Sequence, residues 1–325
     1  MNQFTLFSMP STQDLAQRVS TLLGCSLQSI DFREYEHGEV KLRAKNSVVN
    51  QHVCILDSIY SGPKMSIHDK LMHLLFFVAS LKDAGAKSIT LYLPYLCYSR
   101  KDRKTEFQDP ITTRYIAQLC ESVGVDCVAT LESHNLSAFQ NSFRCPTIHI
   151  DSTPLFVDHL ATDAIFASAR KKKRLVVVSP DLGGIKRNES FRRLFEKKLG
   201  FELSSAFAVK HRVDSVLSEE KLVGDVRDCD VILFDDMIVS GSTISKAAQL
   251  CLKQGAQDIF VAATHGLFTA EANKALNSPA IKKILITDSV ENYEIDNKLR
   301  DEKIQVIDTS TVMAESIKSH YTDCI

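Results

Sequence analysis

The sequence has no apolar run long enough to cross a membrane, no closely paired cysteines and almost no net charge. Its most apolar stretch, 71–81, is about half a membrane span and contains His73. The N-terminus lacks the basic region, apolar core and cleavage site of a secretory leader. Neither secretion nor membrane insertion is therefore expected. Nine cysteines are scattered with no C-x-x-C pair and no two clusters at zinc spacing, which points to reduced, partly buried thiols and a cytoplasmic setting. With 39 Lys and Arg against 40 Asp and Glu, the net charge is -1. No global field draws in nucleic acid or an anionic membrane, so any recognition of anions must be local. Only 12 glycines and 8 prolines in 325 residues, with 44% hydrophobic and 24% charged residues, exclude collagen, coiled coil and disorder.

A chain of 325 residues is enough for about two domains. Apolar, β-branched runs of strand length occur at 4–7, 52–57, 88–93, 127–131, 174–179, 229–234, 258–264 and 283–287. Between them, helical periodicity appears at 11–23, 66–84, 112–123, 153–168, 186–199, 243–254 and 269–277. This alternation predicts an α/β protein built on largely parallel sheets flanked by helices. Gly85, Gly124, Gly200 and Gly255 each follow a helical pattern and precede a strand run, where a left-handed C-cap belongs. "DAGAKSITLYLPY" in the first half and "KQGAQDIFVAATH" in the second suggest a duplicated unit. The halves meet near Asp151 without a flexible linker. The basic run at 170–174 leads straight into an apolar strand and reads as a solvated strand entry rather than a nucleic-acid patch.

The sharpest local signal is the stretch 231–243. A hydrophobic strand ends in Asp235 and Asp236, then Ser240, Gly241, Ser242 and Thr243 open a helix. Backbone N–H groups and hydroxyls in such a loop can cradle a phosphate, helped by the helix dipole. The carboxylates can accept from vicinal sugar hydroxyls or hold a divalent cation through its waters. A phosphosugar satisfies both ends. No glycine-lysine-Ser/Thr element is present, which excludes a P-loop. In the first half, Arg100, Lys101, Arg103 and Lys104 crowd one loop after a strand, an arrangement able to neutralise a triphosphate.

This region resembles the phosphoribosyl diphosphate motif of type I phosphoribosyltransferases and of the ribose-phosphate diphosphokinases. "YEHGEV", "LPYLCYSRKDRK", "PIT", "VVVSPDLGG", "GDV", "ATHGLF" and "IQVIDTS", in that order, select the second family. The resemblance implies two similar phosphoribosyltransferase-like domains: 1–150 on the ATP side and 151–325 binding ribose 5-phosphate, with the last helix expected on the N-terminal domain. It implies that Tyr35, His37 and Glu39 contact adenine, that Arg100, Lys101 and Arg103 bind the ATP phosphates, and that His134 and Asp181 hold Mg2+. It also implies that Lys210 and Arg212 stabilise charge at the base of a mobile catalytic loop, and that Asp235, Asp236 and Ser240 to Thr243 bind ribose 5-phosphate. A homo-oligomer, usually a hexamer, goes with this family, as do ATP and ribose 5-phosphate as substrates. The chain departs from the family pattern at four positions: His37 for aspartate, Lys101 for glutamine, Val239 for a third acid and Ser242 for glycine. A catalytically silent regulatory subunit of the same fold and a phosphoribosyltransferase are the alternative readings.

Overall fold

A computed structural model describes residues 4–162, 167, 171, 174–213 and 217–322, with the side chains of 210–220 outside that description. The chain divides into two compact units. One runs from the N-terminus to Ile150 and takes back the chain from Asp308 onward; the other is Asp151–Ile307.

In the first unit the strands are β1 (Thr5–Ser8), β2 (Leu27–Gln28), β5 (His52–Leu56), β6 (Ser88–Leu93), β7 (Cys127–Leu131) and β8 (Thr147–Ile150). They form one parallel sheet in the order β2-β1-β5-β6-β7-β8. A separate antiparallel ribbon, β3 (Ile30–Glu34) and β4 (Val40–Ala44), is inserted before β5. The helices are α1 (Gln13–Leu23), α2 (Ile67–Asp83), α3 (Thr112–Ser122), α4 (Leu136–Ser142) and the returning α10 (Ser310–Thr322). Leu71, Leu74, Leu75, Val78 and Leu81 of α2 recur at helical spacing and are all buried. On the α1 side, Leu15, Ala16 and Val19 share a core with Leu6, Cys54, Leu56 and Tyr92 of the sheet, and with Met313, Ile317 and Tyr321 of α10. The C-terminal helix is thus an integral part of the first unit.

The second unit contains β9 (Leu175–Ser179), β10 (Ser204–Val213), β11 (Leu217–Val223), β12 (Asp230–Ile238), β13 (Ile259–Gly266), β14 (Ile281–Thr287) and β15 (Ile304–Ile307). Their order is β11-β10-β9-β12-β13-β14-β15, parallel except for the β10–β11 pair. Helices α5 (Thr153–Thr162) and α6 (Ile185–Leu199) bury Phe156, Phe191 and Phe195 against Ile232 and Phe234. Helices α7 (Ser242–Lys253), α8 (Ala270–Leu276) and α9 (Asn297–Lys303) bury Ala247, Cys251, Leu276 and Leu299 with Val231 and Leu233. Alternate residues of β12 therefore face opposite cores, and this is why its sequence is a continuous apolar run.

Without β11, the second sheet repeats the first: β10, β9, β12, β13, β14 and β15 stand where β2, β1, β5, β6, β7 and β8 stand. The echo between the halves falls on equivalent strands, β6 and β13. Gly85, Gly124, Gly200 and Gly255 all have positive φ at helix ends. Where the resemblance implied a mobile loop with Lys210 and Arg212 at its base, the backbone of β10 and β11 is paired antiparallel, with Arg212 opposite Ser218. The aliphatic residues Val209, Val213, Leu217, Leu222 and Val223 give that segment strand character. Among the described residues, no helix is long and apolar enough to cross a membrane.

Candidate active site

The strand β12 lies between β9 and β13 and delivers Asp235 and Asp236 towards its C-terminal end. Ligands of open α/β sheets bind at that end of the strands. Asp236 is 3% exposed. Burial, and then the charge of Asp236, push the Asp235 carboxyl well above the usual range, while Arg187 pulls the other way. The Arg187 Nη1 lies 3.2 Å from Asp235 Oδ1 and 3.3 Å from Asp236 Oδ1.

Beyond the acids, Gly241 turns the chain into α7 with φ 70° and supplies no side-chain cap. Only glycine fits there: a Cβ would also lie 2.9 Å from Leu276 Cγ. The left-handed backbone falls on Gly241 and not on Ser242, which is the first helical residue, so the serine at 242 carries no strain. Its hydroxyl lies 3.0 Å from that of Ser240. The opening turn of α7 thus presents hydroxyls and backbone donors without an internal acceptor on its cap residue, the requirement for holding a phosphate.

The equivalent place in the first unit is built differently. After β5, Asp57-Ser58-Ile59-Tyr60-Ser61-Gly62 matches Asp236-Met237-Ile238-Val239-Ser240-Gly241 at four of six positions. Asp57 is 1% exposed and accepts from Ser11, Thr12 and the Ser58 amide at 2.8–2.9 Å. The following helix, α2, is closed by a capping box in which Ser66 accepts from the Asp69 amide and Asp69 accepts from the Ser66 amide. Buried Lys70 sits 3.5 Å above the Tyr60 ring. The first unit closes its helix start with a side-chain capping box, whereas Gly241 gives α7 no side-chain cap and the Ser242 amide reaches only Ser240 Oγ at 3.4 Å.

In the first unit, the loop after β6 carries exposed Arg100 and Arg103. Two braces shape it. Lys101 Nζ is paired with Asp109, whose carboxylate also accepts from the amides of Thr105 and Glu106 at 2.8 and 2.9 Å. These donors, Lys101 first and then Thr105, hold the Asp109 carboxyl far below the usual carboxylate range. Asn135 Nδ2 donates to Asp102 at 2.7 Å while its Oδ1 accepts from the Ala138 amide at 3.1 Å, capping α4. Asn135 therefore ties the basic loop to the segment carrying half-buried His134.

Exposed Tyr35, His37 and Glu39 form the turn of the β3–β4 ribbon, where Arg33 lies 5.0 Å from the Tyr35 ring. His37 has φ 71°, a conformation in which Asp, Asn and His are the most tolerant non-glycine residues. The backbone at this position therefore suits histidine as well as the aspartate that the resemblance implies.

Residues 4–124 match the family described as the N-terminal domain of ribose phosphate pyrophosphokinase, and residues 202–324 match the phosphoribosyl synthetase-associated domain. The ribose-phosphate pyrophosphokinase of Haemophilus ducreyi is 32% identical over 323 residues, spanning 98% of this chain and 96% of that one. The chain belongs to the ribose-phosphate pyrophosphokinase family. Ribose-phosphate pyrophosphokinase 1 of Streptococcus pneumoniae serotype 4 is 31% identical, over 96% of this chain and 92% of that one. The crystal structure of phosphoribosylpyrophosphate synthetase from Mycobacterium smegmatis, 28% identical, matches with a TM-score of 0.87 over 99% of this chain and 100% of that one.

The residues expected for a ribose-phosphate pyrophosphokinase fall into two groups. Tyr35, His37, Glu39, Arg100, Lys101, Arg103 and His134 belong to the first unit; Asp181, Lys210, Arg212, Asp235, Asp236 and 240–243 belong to the second. Lys210 and Arg212 lie on the backbone of β10, but their side chains are outside the described residues. Asp181 Oδ1 accepts from the Gly184 amide at 3.0 Å, which fixes the loop before α6. Among the described residues, no group of three His, Cys, Asp or Glu side chains forms a ready metal cage. Arg187, Asp109 and Asn135 carry no local signal in the sequence. Arg187 lies in the helix opened by "SPDLGGIKR", and the adjacency of β9 and β12 in the sheet is the one signal that would have found it.

Proposed function

We propose that this chain transfers the diphosphoryl group of ATP to the C1 hydroxyl of ribose 5-phosphate, giving 5-phosphoribosyl 1-diphosphate and AMP. The observation that carries the reading is the pairing of two adjacent acids, Asp236 buried and Asp235 half-buried, with a helix start that Gly241 leaves without a side-chain cap, in a chain aligned almost end to end with named ribose-phosphate pyrophosphokinases. Asp235 and Asp236 accept from the ribose hydroxyls, and Ser240, Gly241, Ser242 and Thr243 hold the 5-phosphate. Arg100 and Arg103 orient the triphosphate within the loop that the Lys101–Asp109 pair shapes. Tyr35, His37 and Glu39 receive the adenine. The C1 oxygen bonds to the β-phosphorus as the bond from that phosphorus to the α–β bridging oxygen breaks, and the hydroxyl proton is lost to solvent. Lys210 and Arg212 stabilise the charge that develops on the transferring group, which is a matter of positioning and electrostatics.

The donor set suits magnesium. Asp181 offers one exposed carboxylate fixed by a backbone amide, and such an ion keeps most of its shell as water and phosphate. Asp181 in the second unit and His134 in the first are each residues that would hold such an ion, which would neutralise the charge of the ATP phosphates. A homo-oligomer in the cytoplasm, with the first unit on the ATP side and the second on the ribose 5-phosphate side, completes the reading. Incubation with ATP, magnesium and ribose 5-phosphate, followed by chromatography of the nucleotides, tests it: AMP is expected in step with sugar consumed, and formation of ADP or no turnover would overturn it.

A further inference from the structure

We infer that Arg187 is a positioning residue for the sugar site: one guanidinium nitrogen bridges the two acids, fixes both side chains in place and so sets the preference for a ligand with vicinal hydroxyls. The inference rests on the reading of Asp235 and Asp236 as the groups that bind ribose 5-phosphate.

Two adjacent carboxylates at one strand end repel each other. Asp235 is further penalised by burial, and the Arg187 cation opposes both effects. A protonated carboxyl becomes a donor and loses acceptor capacity, which is the wrong chemistry for a pair of sugar hydroxyls offering their hydrogens. Arg187 answers this with Nη1 at 3.2 and 3.3 Å from one oxygen of each acid. Its side chain is 14% exposed, so the interaction is little screened by water. Asp235 Oδ1 also accepts from the Asp236 amide at 2.9 Å, which leaves that oxygen committed and the carboxylate with a defined rotation.

The surrounding backbone is arranged to bring Arg187 there. It sits in the first turn of α6, next to Asn188. Buried Asn188 donates to the carbonyl of Phe234, the residue before Asp235, at 2.8 Å and to the Gly184 carbonyl at 3.0 Å. A Cβ on Gly184 would lie 2.7 Å from Ser179 Oγ and 3.3 Å from Asn188 Nδ2, so glycine at this position allows the start of α6 to approach the strand ends. Arg187 and Asn188 thus hold, respectively, the side chains and the backbone of the acid strand end.

Steady-state kinetics and calorimetric binding of ribose 5-phosphate to the full chain, for wild type, Arg187→Met and Arg187→Lys, test the inference. Arg187→Met is expected to raise the KM and Kd for ribose 5-phosphate by about tenfold or more, with the KM for ATP changed by less than about twofold. Arg187→Lys is expected to recover part of the loss, because it keeps the charge but not the planar fork. If Arg187→Met were to fold as judged by its Tm yet bind ribose 5-phosphate like the wild type, or raise both KM values together, the inference would be overturned. Should Arg187→Met fail to fold, Arg187→Lys decides alone: unchanged ribose 5-phosphate binding overturns the inference, and a selective loss supports it. A wild type that binds ribose 5-phosphate but makes no AMP would overturn the proposed reaction while leaving this inference to stand on the binding data. A wild type that does not bind ribose 5-phosphate would overturn both.

Discussion

Asp235 is under opposed demands. On the proposed reading ligand binding uses its ionised form, whereas burial and Asp236 raise its pKa well above the usual range against the opposing pull of Arg187. A carboxyl raised on folding holds its proton more firmly in the folded chain. Its contribution to stability is therefore present below the unfolded value and is lost as pH rises through the folded one. Two results are expected. Affinity for ribose 5-phosphate, followed by calorimetry, should weaken on acidification at a higher pH than an ordinary aspartate would show. In thermal melts near neutral pH, Asp235→Asn should raise the Tm by about 2 °C or more, because it removes a charge that folding disfavours. Such a gain in stability with a loss of sugar binding is the mark of a residue kept for its chemistry. Asp109 shows the opposite shift, and its partners explain the departure at Lys101: the lysine is engaged by Asp109 inside the loop. Asp109→Ala should raise the KM for ATP several-fold, by about three- to tenfold, with the KM for ribose 5-phosphate unchanged in the same assay.

Among the elements, the turn into α7 is the most constrained. Gly241→Ala places a Cβ at positive φ and against Leu276, and should cost about 1–2 kcal/mol in urea denaturation besides weakening phosphate binding. Much of the architecture could be read from sequence at this scale. The runs of Val, Ile and Leu marked the parallel strands, and Gly85, Gly124, Gly200 and Gly255 marked where helices end, because both signals are local. The acid pair and the 240–243 loop were legible for the same reason. Arg187 was not, because its partner Asp235 is 48 residues away and the pairing of β9 with β12 brings the two together. The repeat of the strand-end motif after β5 was also hidden. Four residues separate Gly62 from the first residue of α2, whereas Gly241 leads directly into α7. Tyr60 stands at the position of Val239.

The molecule consists of two units with one strand order, of which the second alone keeps an uncapped helix start behind its acid. The first unit depends on the C-terminal helix. Met313 and Ile317 are fully buried in its core, so Ile317→Ala should cost about 2–5 kcal/mol, measured by chemical denaturation. On the proposed reading the first unit receives the nucleotide and the second the phosphosugar, and the diphosphoryl group passes from ATP to the sugar. ATP labelled at the β-phosphorus follows that transfer directly. With ribose 5-phosphate and magnesium present, the label should move to the sugar while the adenine is recovered as unlabelled AMP. Label that remained with the nucleotide, as ADP or as unreacted ATP, would show that the sugar does not receive the diphosphoryl group.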